Sequence, residues 1–236
     1  MREGNWKTMM SFSELWRHFR LLSEPEGLPP DKAAFLEEFL RIEYAKREQK
    51  RIASLLRISG IKRIKLMHDF DWAFNPKIPR EKIMEFMQTE WLQRPANLVL
   101  IGPAGVGKSH LATALCHDAL LKGRQTVFAG LFDLTARLAR AKSIYTLIDY
   151  YARVPVLCLD ELGYLIPNKE QADALFQIIS KRSETATTIV TTNLIPSQWG
   201  KIFDTTTASA ILDRLSLNGR FITLEGRSYR SRKQTS

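Results

Sequence analysis

The chain has 236 residues, of which 44% are hydrophobic and 25% charged, with 12 Gly and 10 Pro; this excludes a disordered chain and a collagen-like or Gly/Pro-repeat build. At this length one large domain, or one domain with a small extension, forms a core of normal size without staples. Lys and Arg outnumber Asp and Glu by 35 to 25, a formal net charge of +10, and such an excess favours a polyanionic partner, most often nucleic acid.

The two cysteines, Cys116 and Cys158, form neither a CxxC pair nor a Cys/His zinc spacing. No disulfide framework is expected, and a reducing cytosol fits. The first ten residues include Arg2, Glu3, Asn5 and Lys7 and hold no long apolar stretch, so they do not read as a signal peptide. No run approaches the ~18 apolar residues that span a bilayer. A cytoplasmic protein without a membrane partner is expected.

In chain order, Phe12, Leu15, Trp16, Phe19 and Leu22 recur at helical spacing, with Ser11 or Ser13 as N-cap. A turn-rich break (SEPEGLPP, 23–30) follows, and Asp31 is expected to cap a second helix running to about Leu56. Its front half is amphipathic through Phe35, Leu36, Phe39, Leu40 and Ile42. From 46 to 65 the one acid, Glu48, stands against Lys46, Arg47, Lys50, Arg51, Arg57, Lys62, Arg63 and Lys65. Such a run is either a solvated helix face or a patch that tracks DNA phosphates, and the global charge favours the second. Residues 68–79 (HDFDWAFNPKIP) read as an aromatic linker containing the domain boundary: a basic helical N-terminal domain over 1–74, and a second domain over 75–236.

A helix over 80–93 opens the second domain. Strands then read at 97–101, 127–129, 156–159, 189–192 and 221–224, and helices near 108–122, 131–141, 170–182 and 208–217. This alternation predicts an α/β fold, a parallel sheet with helices on both faces. No internal repeat is visible.

Three motifs carry chemistry. Gly102-Pro103-Ala104-Gly105-Val106-Gly107-Lys108-Ser109 matches G-x-x-x-x-G-K-[ST] between an apolar strand and a helix that opens at His110 and Leu111, the context that makes it a P-loop. Backbone N–H groups of such a loop turn inward around phosphate oxygens, and the helix N-terminus adds a favourable dipole. Residues 102–110 are thus the expected nucleotide contacts, with Lys108 on the β/γ phosphates and the Ser109 hydroxyl on Mg²⁺. The strand VLCLDE (156–161) ends in two carboxylates at the sheet edge where a nucleotide lies. There Asp160 is placed for Mg²⁺ and Glu161 as the base that orients an attacking water. The strand IVTTN (189–193) ends in Asn193, placed to sense the γ-phosphate or hold that water.

In this order the motifs resemble the AAA+ ATPase arrangement. DELGY (160–164), FQIISKR (176–182), TTNLIPSQWG (191–200), AILDRL (210–215) and GRSYR (226–230) look like the IstB/DnaC group. FLEEFLRIEYAKREQKRIASLLR (35–57) and DFDWAF (69–74) make the likeness to IstB-like transposition helper ATPases closer, over roughly residues 30 to 232. The resemblance implies ATP and Mg²⁺ as cofactors, ATP hydrolysis, and assembly into a ring or spiral on double-stranded DNA with little sequence preference. It also implies presentation of that DNA to a cognate transposase. The rival is a DnaC-type replicative helicase loader. The resemblance further implies that Arg214 is an arginine finger acting on a neighbouring subunit's ATP, and that Arg230 is a sensor-2 or lid arginine. Phe70 reads as packing near adenine or as a core aromatic.

Overall fold

The computed structural model describes residues 10–23, 25, 27–88 and 91–232. It divides into two compact units, Met1–Ser54 and Leu55–Ser236.

In the first unit, α1 (Phe12–His18) starts at Ser11, whose hydroxyl accepts from the Glu14 N–H while Glu14 bonds back to the Ser11 N–H, a reciprocal cap. It stops short of Leu22 because Arg20 takes a left-handed conformation, φ +53°. Leu15 and Trp16 of α1 form a small core with Leu40, flanked by Leu36 and Tyr44. These last three lie on α2 (Pro30–Ile58). Asp31 does not cap α2: the helix begins at Pro30, which has no N–H to satisfy, so Asp31 falls in the first turn. Phe35, Phe39 and Ile42, expected to face a core, are exposed.

The second unit is a five-stranded, all-parallel sheet in the order β2-β3-β4-β1-β5. Its strands are β1 (Asn97–Ile101), β2 (Thr126–Gly130), β3 (Val156–Leu162), β4 (Thr187–Thr192) and β5 (Gly219–Thr223). Alternate strand residues feed two apolar layers. Leu98, Leu100, Cys158, Ile189 and Ile222 join α3 (Arg80–Gln88) and α4 (Lys108–Leu121) on one face. Val99, Ile101, Leu157, Leu159 and Val190 join α5 (Leu131–Arg140), α6 (Ile144–Arg153), α7 (Lys169–Arg182) and α8 (Thr205–Ser216) on the other. A short α9 (Tyr229–Arg232) follows β5. The sheet with helices on both faces is the architecture read from the alternation. α6 escaped that reading, although Ile144, Leu147, Ile148 and Tyr151 carry its helical spacing. The helix expected over 80–93 ends at Gln88 in α3; residues 91–95 form turns, and 89–90 lie outside the described residues. Cys116 and Cys158 are free and buried in one layer, where burial, followed by a hydrogen bond shared with Cys116, pushes the Cys158 thiol up. Among the described residues no helix is long and apolar enough to cross a membrane.

The division at Ser54/Leu55 falls well before the boundary at 74 expected from the sequence. The reason is that residues 59–75 are fastened to the sheet unit. The Phe128 N–H donates to Ser59 O at 2.7 Å, His110 Nε2 donates to Leu66 O at 2.9 Å, and Asn75 bonds the backbone of Arg227. The aromatic segment is therefore a wall of the second unit.

Arg182, at the end of α7, is fully buried. Its guanidinium donates to Thr188 Oγ1 (3.0 Å) and to the carbonyls of Tyr151 (2.7 Å), Ala152 (3.3 Å), Val154 (2.6 Å) and Thr187. Burial lowers its pKa to about 9, still above neutrality, so it stays charged while tying α6 to β4. Arg182→Met is expected to cost about 4 kcal/mol or more, because each of the four carbonyls that loses its buried donor forfeits about 1–3 kcal/mol. Urea denaturation checks this; a midpoint equal to wild type would mean that the bonds contribute nothing net.

Candidate functional site

After β1 the chain turns through a glycine loop into α4. Gly105 (φ +78°) and Gly107 (φ +113°) are left-handed, and neither tolerates a side chain. A Cβ at Gly105 would stand 2.0 Å from Ser228 Oγ, and one at Gly107 would stand 2.5 Å from Phe70 Cε2. The loop thus presents bare backbone beneath the N-terminus of α4, the arrangement that holds phosphate. Lys108 opens α4, and its buried ammonium donates to Gly102 O at 2.7 Å and Pro103 O at 2.8 Å. Burial lowers its pKa and Asp160 opposes the shift.

The acids sit where β3 loses its register with β4, between Leu159 and Leu162. In a regular strand Asp160 and Glu161 would face opposite ways; the irregularity re-aims them. Glu161 takes φ +66°, a left-handed conformation costly for a residue with a Cβ. Its N–H leaves the ladder and donates to Thr191 Oγ1 at 3.0 Å. The Thr191 hydroxyl in turn donates to Asp160 Oδ1, which also accepts from Ser109 Oγ at 2.9 Å. Thr191 therefore bridges both acids.

Lys108, Ser109, Glu161 and Thr191 border a cavity of about 580 Å³, within the range of ligand pockets. Its walls include residues 104–110, Glu161 and Thr191, the segment from Arg63 to Asn75 in part, and Tyr229 and Arg230. The last two come from α9, whose Tyr229 N–H donates to Gly105 O at 2.9 Å. Phe70 is buried, meets His110 edge-on at 5.3 Å between centroids, and lines the cavity, so it is both a core and a site residue.

Among the other expected residues, Arg230 lines the cavity. Asn193 does not: it lies just past β4, exposed, with Oδ1 turned toward Gly163, and Thr191 holds the position facing the acids. Arg214 is elsewhere on the chain. It pairs with Asp213 at 2.5 Å, and its carbonyl accepts from Asn97 Nδ2 at 3.3 Å. Asn97 begins β1 while the glycine loop follows its end, so the five-residue strand, roughly 16 Å at the usual rise, separates the two. Of the eight cations expected to face DNA, Arg63 and Lys65 line the cavity. Arg47 pairs with Glu43 at 2.8 Å, Arg51 with Glu48, and Lys62 with Asp133 at 3.4 Å. Lys46, Lys50 and Arg57 have no ion pair among the described residues. Sequence reasoning missed Thr191, Asn75 and Tyr229; Thr191 carries a weak signal as the residue before Thr192 at the end of an apolar strand.

The family described as IstB-like ATP binding protein matches residues 31–236. The chain belongs to that family. Its IstB-like relatives include the insertion sequence IS232 protein of Bacillus thuringiensis subsp. berliner, 34% identical over 85% of this chain and 83% of that one. The insertion sequence IS21 protein of Pseudomonas aeruginosa is 36% identical over 85% and 77%. The names of both give ATP binding and an insertion sequence, and nothing more. Among solved structures, the IstB-like chain is similar to DnaI (TM-score 0.59, 22% identity, 70% of this chain and 89% of that one). It is also similar to the DnaC helicase loader (0.53, 23%, 61% and 87%). An AMPPCP-bound DnaA from Aquifex aeolicus gives 0.56 at 18% identity, over 72% and 54%. These likenesses show the fold alone: the parallel sheet flanked by helices, with the glycine loop between β1 and α4.

Proposed function

We propose that this IstB-family protein hydrolyses ATP to ADP and phosphate, and that it works in the cytoplasm, assembling on duplex DNA to assist an insertion-sequence transposase. The observation that carries the reading is the bulge in β3: it brings Asp160 to Ser109 and turns Glu161 to the cavity wall beside the glycine loop. The bare loop and Lys108 suit a triphosphate. A carboxylate and a hydroxyl oxygen suit Mg²⁺, which takes one or two protein oxygens and completes its shell from phosphates and water. Among the described residues no group of three or more His, Cys, Asp or Glu forms a richer metal site. Bound there through Ser109 and Asp160, Mg²⁺ would neutralise phosphate charge. Glu161 orients and deprotonates water, Lys108 stabilises charge on the phosphates, and Thr191 fixes both acids.

Glu161→Gln is the test. An amide cannot take the proton, so turnover is expected to fall about 10²-fold or more while ATP still binds, and the DNA-bound assembly should accumulate. Wild-type turnover would remove Glu161 from the role of base.

DNA binding is supported by the net charge and by the exposed Lys46 and Lys50, one turn apart on α2. It should be sensitive to salt and nearly indifferent to sequence, because these groups offer charge rather than a base-reading code. Neutralising Lys46, Arg47, Lys50 and Arg51 together should flatten the salt dependence by up to about four phosphate contacts. Unchanged affinity and slope would leave a solvated helix face. Relatives named for insertion sequences favour a transposase over a replicative helicase as partner, since the likeness to helicase loaders is one of fold.

A further inference from the structure

Lys65 belongs by sequence to the basic run that reads as DNA-facing, yet it stands in the wall of the nucleotide cavity. We propose that Lys65 is a second phosphate-binding cation, acting in cis in the same cavity as Lys108, and that it makes the site favour a nucleoside triphosphate over a diphosphate. This rests on the nucleotide reading of the same cavity.

The position of Lys65 is built. The next residue, Leu66, has its carbonyl bonded to His110 Nε2 in the first turn of α4, and Phe70 closes over Gly107. Upstream, the Ser59 carbonyl is held by the Phe128 N–H. The segment is thereby strapped across the mouth of the glycine loop, and Lys65 is half-buried, whereas the Lys62 side chain is 88% exposed. The charges that act on Lys65 are Asp160, Arg230 and Arg63; burial lowers its pKa, and Asp160 opposes the shift. Lys65 lines the same cavity as Lys108 and Ser109, and Ser109 is the hydroxyl bonded to Asp160, so Lys65 shares the pocket that the glycine loop and these groups would offer to phosphates. Arg230 acts on Lys65 and Lys108 alike, and this crowding of cations is relieved by a polyanion. A triphosphate brings one more charged group into that pocket than a diphosphate does. An exposed cation suits a duplex backbone; a half-buried one inside a cavity suits a small anion.

The test titrates fluorescent ATP and ADP analogues, with Mg²⁺, into full-length wild type, Lys65→Met and Lys65→Arg. Loss of one charge-assisted bond should weaken ATP about tenfold or more in Lys65→Met and ADP by less than about threefold. Lys65→Arg should keep ATP binding within about threefold of wild type. Amine acetylation read by mass spectrometry supplies a measurement that needs no variant. ATP should protect Lys65 of the wild type more than ADP does, and should leave Lys142, exposed between α5 and α6, unprotected. Unchanged ATP affinity in Lys65→Met, equal loss of both nucleotides, or protection of Lys65 by duplex DNA but not by ATP would each overturn the assignment. A wild type that binds neither nucleotide would overturn the site reading itself, and the role of Lys65 with it.

Discussion

Lys108→Ala is expected to weaken ATP binding by about 10³-fold and to abolish turnover. The ammonium is buried at the N-terminus of α4, bonded to the adjacent carbonyls of Gly102 and Pro103 where the loop begins, and a phosphate inside the loop would replace those carbonyls as its partner. Each hydrogen bond to a charged group contributes about 1.5–3 kcal/mol, and two of them account for the expected loss. Folding should be spared, because the loop conformation is set by Gly105, Gly107 and the contacts of Phe70 and Ser228 rather than by Lys108. Titration with a fluorescent ATP analogue, alongside a thermal melt, reads both effects. Normal binding would remove the P-loop assignment; a collapsed melting temperature would show the lysine to be structural.

Arg214→Ala should leave ATP binding nearly intact and lower hydrolysis by about 10³-fold or more, the effect of losing an arginine finger. Within its own chain Arg214 cannot reach the phosphates, since its backbone is tied to the start of β1 and the glycine loop lies past the end of that strand. Its ion pair with Asp213 is partly exposed and contributes little to stability, so exchanging it for a phosphate on a neighbour would cost little. Mixing subunits tests this directly. An Arg214→Ala protomer keeps a sound glycine loop and a Lys108→Ala protomer keeps a sound arginine. Each should be inactive alone, and mixed assemblies should regain activity wherever a good loop meets a good arginine. No rescue, with mixed assembly verified, would leave Arg214 as an ion-pair partner within its own subunit.

The alternation of apolar strands and amphipathic helices, the glycine loop and the acid pair were all legible in the sequence. Each is contiguous: residues 102–109 and 156–161 carry their own turn chemistry and periodicity, so local physics determines them. Tertiary structure decided what depends on register and on the return of distant chain. Thr191 reaches Asp160 and Glu161 only because β4 lies beside β3 where their pairing slips, and no pattern of spacing encodes that slip. Arg63, Lys65 and Phe70 became cavity walls because bonds at Ser59, Leu66 and Asn75 strap their segment to the sheet unit. By composition the same segment read as a linker with a basic run. Arg230 reached the cavity through the Tyr229–Gly105 bond. Asn193, one residue past the strand, turned toward Gly163 instead. Charge and motif are properties of the residues themselves, whereas the surface a residue faces is set by which strands pair and which segments fold back over them.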